Sequence, residues 1–115
     1  MVGDEDRIRA GLAMQMVAQA VGVPVEAMQA DRTSGVRLGL KACRARWMAM
    51  YLAHVGHGWR LERVAHAFGV NRATASVGCR WVEDARDDRA LDAVLERLAD
   101  TLRDLCEAPR VEIAS

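Results

Sequence analysis

Aromatic side chains are scarce in this chain: three Trp, one Tyr and one Phe make up 4% of its 115 residues. β-Branched residues other than Val are thin as well, so strand-rich folds, which draw on both types, are disfavoured. No run of about 18 apolar residues is present, which leaves no candidate for a membrane-spanning helix. The start of the sequence, with Asp4, Glu5 and Asp6, lacks the order of a secretory leader. Cys43, Cys79 and Cys106 are odd in number, far apart and without a CxxC pair. They read as reduced, small hydrophobes in a cytoplasmic protein. There is no GxxxxGK phosphate cradle and no catalytic constellation, so neither an enzyme nor a cofactor or small-molecule substrate is expected. His54 and His57 stand three apart, but no carboxylate or thiol lies beside them at ligand spacing, and no metal site is expected. Net charge is lacking too. Its formal value is zero, which taken alone argues against a nucleic-acid partner.

What remains is Ala, Leu, Arg, Met and Glu in quantity, the good helix formers, in a chain that is 51% hydrophobic. The length suits one domain with its own core. An all-α domain of five to six helices over residues 7–107 follows, with residues 1–6 and 108–115 as frayed tails.

The zero conceals an uneven distribution. Residues 1–31 carry two basic and five acidic side chains, and residues 83–115 carry five and ten. Between them, residues 32–82 hold nine basic side chains (Arg32, Arg37, Lys41, Arg44, Arg46, Arg60, Arg63, Arg72 and Arg80) against Glu62 alone. A basic block between acidic ends points to an anion-binding surface more than overall charge does. Eight of the nine are Arg, whose planar fork matches phosphate and guanine.

Periodicity places the helices. The first spans about Arg7 to Val21, with Ile8, Leu12, Met16 or Val17, and Ala20 on one face, and stops at Gly22. Pro24 opens a short second helix to Met28. A polar loop, Asp31 to Gly35, leads to a long helix from about Val36 to Val55. Its apolar positions are Leu40, Cys43, Trp47, Met48, Met50 or Tyr51, Leu52 and Val55. A short helix from Arg60 carries Leu61, Val64, Ala65 and Phe68 on one face. Gly69 ends it, and Asn71 caps a further helix that turns Ala75, Cys79 and Val82 inward and Arg72, Ala73, Ser76 and Arg80 outward. A small Ala65, Gly69 four later and apolar Val70 together form a helix–turn–helix pattern. The last helix, about Arg89 to Cys106, aligns Leu91, Leu95, Leu98, Leu102 and Leu105 at heptad steps. That seam either packs on its own domain or meets a second helix, in a dimer or on a protein partner.

The stretch Arg46-Trp47-Met48-Ala49-Met50-Tyr51-Leu52 resembles the C-terminal DNA-binding domain of the bacterial replication initiator DnaA, where an Arg-Gln precedes apolar residues and Ala-Met-Tyr-Leu. The spacing holds through Arg60, Leu61, Val64, Ala65, Phe68 and Gly69. Val17-Ala18, Val21-Gly22-Val23 and Val25-Glu26 resemble the start of that domain, so the likeness spans roughly residues 14–106. It implies a Trp-repressor-like helix–turn–helix fold and binding to double-stranded DNA. The family's recognition helix opens Gly-Gly-Arg-Asp-His-Thr-Thr; Asn71, Arg72, Ala73 and Thr74 stand here instead, with one residue fewer in the turn. That departure argues against the initiator's own box as target. Trp47 stands where the family has a polar Gln. The initiator's nucleotide-binding domain has no counterpart in these residues, so ATP hydrolysis is not implied. Stand-alone domains of this type are similar to transcriptional regulators, including activators of phage-like gene transfer agent clusters.

Asn71, Arg72, Ala73, Thr74 and Ser76 are expected to enter the major groove, with Arg72 reading guanine. Arg32 and Arg37 reach the minor groove. Lys41, Arg44, Arg46, Arg60 and Arg80 contact phosphates. The expected role is transcriptional activation in the cytoplasm at the nucleoid, with the transcription machinery or a co-activator as a possible protein partner on the leucine seam. A replication-origin regulator and a protein-interaction module remain as alternatives.

Overall fold

In the computed structural model, which describes residues 3–29 and 39–114, the described residues form helices and no strand. Helix α1 is Asp4–Val21, α2 Val25–Met28, α3 Leu40–Gly56, α4 Leu61–Phe68, α5 Arg72–Ala85 and α6 Arg89–Glu107. The architecture is a helix–turn–helix domain built around α3, which packs against all five other helices. No helix among the described residues is long and apolar enough to cross a membrane.

Helix α3 is buried on nearly every side: Met48, Ala49, Met50, Tyr51, Leu52 and Ala53 are six consecutive residues with at most 5% exposure. A helix apolar all round belongs in the centre, and its neighbours must supply the polar faces. The ends of its expected apolar stripe fall outside the core, with Leu40 64% and Val55 44% exposed.

Two expectations are corrected at the N-terminus. Helix α1 begins at Asp4, so Asp4, Glu5 and Asp6 form its first turn rather than part of a tail. Carboxylates there favour the free N–H groups and positive end of the helix. The face it buries is Ala10, Ala13, Met14 and Val17, while Ile8 is 69% exposed and Ala20 lies in solvent. Two alanines let α1 approach α3 closely, and that packing outweighs the bulk of Ile8.

At the other end, Leu95 and Leu102 of α6 are fully buried, Leu91 and Leu98 half-buried, and Leu105 exposed. Much of the leucine seam is thus occupied by the chain's own core. The helices are also tied by polar contacts. Arg86 pairs with Asp92 at 2.6 Å and with Glu96, and donates to Tyr51 Oη at 3.1 Å. Tyr51 in turn donates to Glu83, which joins α3, α5 and α6. Burial, then the Glu83 carboxylate, holds the Tyr51 phenol above its ordinary pKa, so it stays a donor.

Candidate nucleic-acid interface

The turn between α4 and α5 is built as its sequence requires. Gly69 ends α4 at φ 68°, and its N–H bonds the His66 carbonyl at 3.3 Å. The Val70 N–H bonds the Ala65 carbonyl at 3.0 Å, completing a Schellman closure. Only a residue without Cβ takes that left-handed position cheaply. At the end of α4 the Phe68 carbonyl accepts from Arg46 Nη2 at 2.5 Å. Arg46 is half-buried and lines a cavity with Arg7, Met14, Ala67 and Phe68. Of the expected phosphate contacts, Arg46 alone is engaged inward, closing α4.

Asn71 caps α5 as expected: its Oδ1 accepts from the Thr74 N–H at 2.7 Å. Ala75, Gly78, Cys79 and Val82 form the buried face of α5, and burial pushes the Cys79 thiol up to about 11, leaving it inert. The opposite face exposes Arg72, Ala73, Thr74, Val77 and Arg80, with Ser76 half-buried. No carboxylate occurs between Asn71 and Val82.

Further exposed basic groups lie on α3, before α4 and on α5 itself. Arg44 lies over the Trp81 ring, 4.8 Å from its centroid, and remains exposed. Lys41, one turn earlier on α3, is exposed, as are Arg60, which precedes the first turn of α4, and Arg80. Arg72 is joined to Glu62 across the mouth of the groove between α4 and α5, with its Nε 2.9 Å from Oε1. Arg63 turns the other way: it forks onto Asp6 at 2.9 and 2.7 Å and lies over the buried Trp59 ring. Arg32 and Arg37 lie outside the described residues.

Two residues of this region are not legible in the sequence. Val77 is 59% exposed at the middle of the outer face, where periodicity identifies an outward position but apolar character hides it. Gly78 was masked by its ordinary helical setting. A Cβ there would stand 2.5 Å from Cδ1 of Trp47, so the indole lies directly on the α5 backbone. Trp47 also meets Trp81 at a tilt, with ring centroids 5.7 Å apart. Trp47 therefore fastens α5 to α3.

His54 Nδ1 donates to the Trp59 carbonyl at 2.6 Å, and His57 stacks against Trp59. Both imidazoles thus have structural surroundings, and among the described residues no cluster of three metal-ligating side chains forms. Comparisons with protein-family models, with curated proteins and with solved structures each gave no match.

Proposed function

We propose that this chain is a sequence-specific double-stranded-DNA-binding protein that acts as a transcriptional regulator through its helix–turn–helix. The observation that carries this reading is the outer face of α5: it is exposed, free of carboxylates from Asn71 to Val82, carries Arg72 and Arg80, and has the exposed Arg44 over its Trp81 ring. A helix half-buried on its scaffold with a polar and cationic outer face suits the major groove. Arg72 and Thr74 at the start of α5 face base edges, and the exposed Lys41, Arg44, Arg60 and Arg80 set register on phosphates. Val77 offers an apolar contact of the kind that meets a thymine methyl.

The initiator-like pattern supports a duplex target but leaves activation, repression and origin control as distinct outcomes. Genome-wide occupancy separates them, with enrichment at promoters supporting a transcriptional role and enrichment at the origin alone overturning it.

Duplex affinity measured between 50 and 200 mM salt is the direct test. Four exposed cations on phosphates predict that affinity falls about 150-fold over that range, since each contact gives a log–log slope of about −0.9. Arg72→Ala is expected to cost ~1–3 kcal/mol on the preferred site and relax one position, with little change on random duplex. Salt-insensitive absence of binding would refute the DNA-binding reading and favour a protein-interaction module.

A further inference from the structure

Glu62 is the only acidic residue among the 51 of the basic block, and it stands at the edge of the proposed reading surface. On electrostatic grounds it is misplaced there, since a carboxylate beside phosphates weakens binding to every sequence. Its geometry explains the placement. Glu62 lies in the first turn of α4, where its own backbone N–H and then Arg72 hold its carboxyl below the usual range. Its Oε1 accepts from Arg72 Nε at 2.9 Å, across the groove between α4 and α5. Both side chains are about two-thirds exposed, so the pair adds little to stability. What it does is select a geometry.

An Arg side chain has several rotatable bonds and, untethered at a surface, samples many orientations. With Nε engaged, Arg72 keeps Nη1 and Nη2 unpartnered among the described residues. Those two terminal nitrogens are the end-on fork that matches O6 and N7 of guanine. We infer that Glu62 is a positioning residue for base recognition: it holds Arg72 by Nε so that the terminal fork reads one guanine, trading general affinity for discrimination. The inference rests on the DNA-binding reading and adds a specificity determinant on α4, outside the recognition helix.

The test is selection from a duplex library with a randomised 20-base-pair core, sequenced in parallel for the wild type, Glu62→Gln, Glu62→Ala and Arg72→Ala. The wild type is expected to enrich a motif with guanine at the position that Arg72→Ala relaxes. Glu62→Ala should lose roughly five- to tenfold of the preference at that same position, the scale of a weakened bidentate contact. On a fixed random duplex it should bind equally or more tightly, because a negative charge has gone. Glu62→Gln, whose amide oxygen can still accept from Nε, should retain most of the preference. This pairing of lower discrimination with undiminished general affinity is not what damage to the fold produces. Because both side chains are exposed, thermal melts of the variants should match the wild type.

If the wild type enriches a motif and Glu62→Ala enriches the same one with equal strength, the positioning role is wrong while the DNA-binding reading stands. Loss of affinity for all duplexes on Glu62→Ala overturns it as well. A wild type that enriches no motif removes both.

Discussion

Helices α3 and α5 pack against each other and are opposites in design. The middle of α3 buries six residues in a row, and its neighbours cover it on all sides. Helix α5 buries Ala75, Gly78, Cys79 and Val82 and leaves the opposite side open over its first three turns. The first holds the fold together, whereas the second is held by it and presents a surface. Substitutions in α3 should therefore act on stability, and substitutions on the outer side of α5 on recognition alone.

The largest expected effect lies in α3. Leu52 is completely buried, so Leu52→Ala removes apolar contact and leaves a cavity in the core. A loss of about 2–5 kcal/mol, read by chemical denaturation, is expected. A loss below about 1 kcal/mol would show that α3 is not the organising core element, since such a cost fits a partly exposed site.

Next comes the seam between the two helices. Gly78→Ala gains helix propensity, worth about 1 kcal/mol at an exposed site. Its Cβ would, however, stand 2.5 Å from Cδ1 and 2.8 Å from Cγ of Trp47, and that indole is itself hemmed by Trp81. The steric term should win, for a net loss of about 1–3 kcal/mol. Combining Gly78→Ala with Trp47→Leu should cost less than the two losses added, because the conflict disappears with the ring. Additive losses would mean that the indole does not lie on α5.

Legibility in the sequence follows the same division. Helices α4, α5 and α6 each have one apolar and one polar side, so their buried residues could be read from spacing, down to Asn71 as the cap and Gly69 as the left-handed stop. Helices α1 and α3 have no such contrast. In α1 the buried side is made by Ala10 and Ala13, whose small size matters for close approach but carries little hydrophobic signal, and periodicity therefore favoured Ile8 and Ala20. In the middle of α3 a face cannot be read because residues 48–53 are covered on every side. The charged residues show a further limit. Composition identified a basic block, but spacing does not distinguish an exposed Arg80 from Arg46 bonded to the Phe68 carbonyl or Arg63 forked onto Asp6. Those pairings join residues 22 and 57 positions apart, and only tertiary packing creates them.

On the open side of α5, Arg80→Ala should leave stability within about 0.5 kcal/mol of the wild type, as for surface substitutions generally. Duplex affinity should drop, and the log–log salt slope should become shallower by about one contact. A denaturation midpoint shifted well beyond that margin would place Arg80 in the fold rather than on the surface.

The smallest effect separates the helices from the loop that joins α3 to α4. His57 is half-buried against Trp59, 5.1 Å between ring centroids, and its Nε2 is buried with no hydrogen-bond partner among the described residues. Burial first, then Arg9 and Arg63, holds its pKa below 6.5, while the Asp6 carboxylate opposes them. Above pH 6.5 the imidazole is neutral in both the folded and unfolded chain, and its surroundings contribute in full. As the pH falls below 6.5 the unfolded chain takes up the proton first, so stability declines until the folded imidazole protonates as well. One proton limits the slope to about 1.4 kcal/mol per pH unit, and solvent screening of a half-exposed ring keeps it well under that. Asp6 does not share this window: its carboxyl is held below 3.8, chiefly by its hydrogen bond to Arg63, so that contribution is lost only at lower pH. Melting temperature should therefore fall from pH 7 to pH 5.5, and His57→Gln should flatten that stretch while leaving the decline below pH 4 in place. An unchanged slope in His57→Gln would assign the acid sensitivity to a different group and free the α3–α4 loop from any part in it.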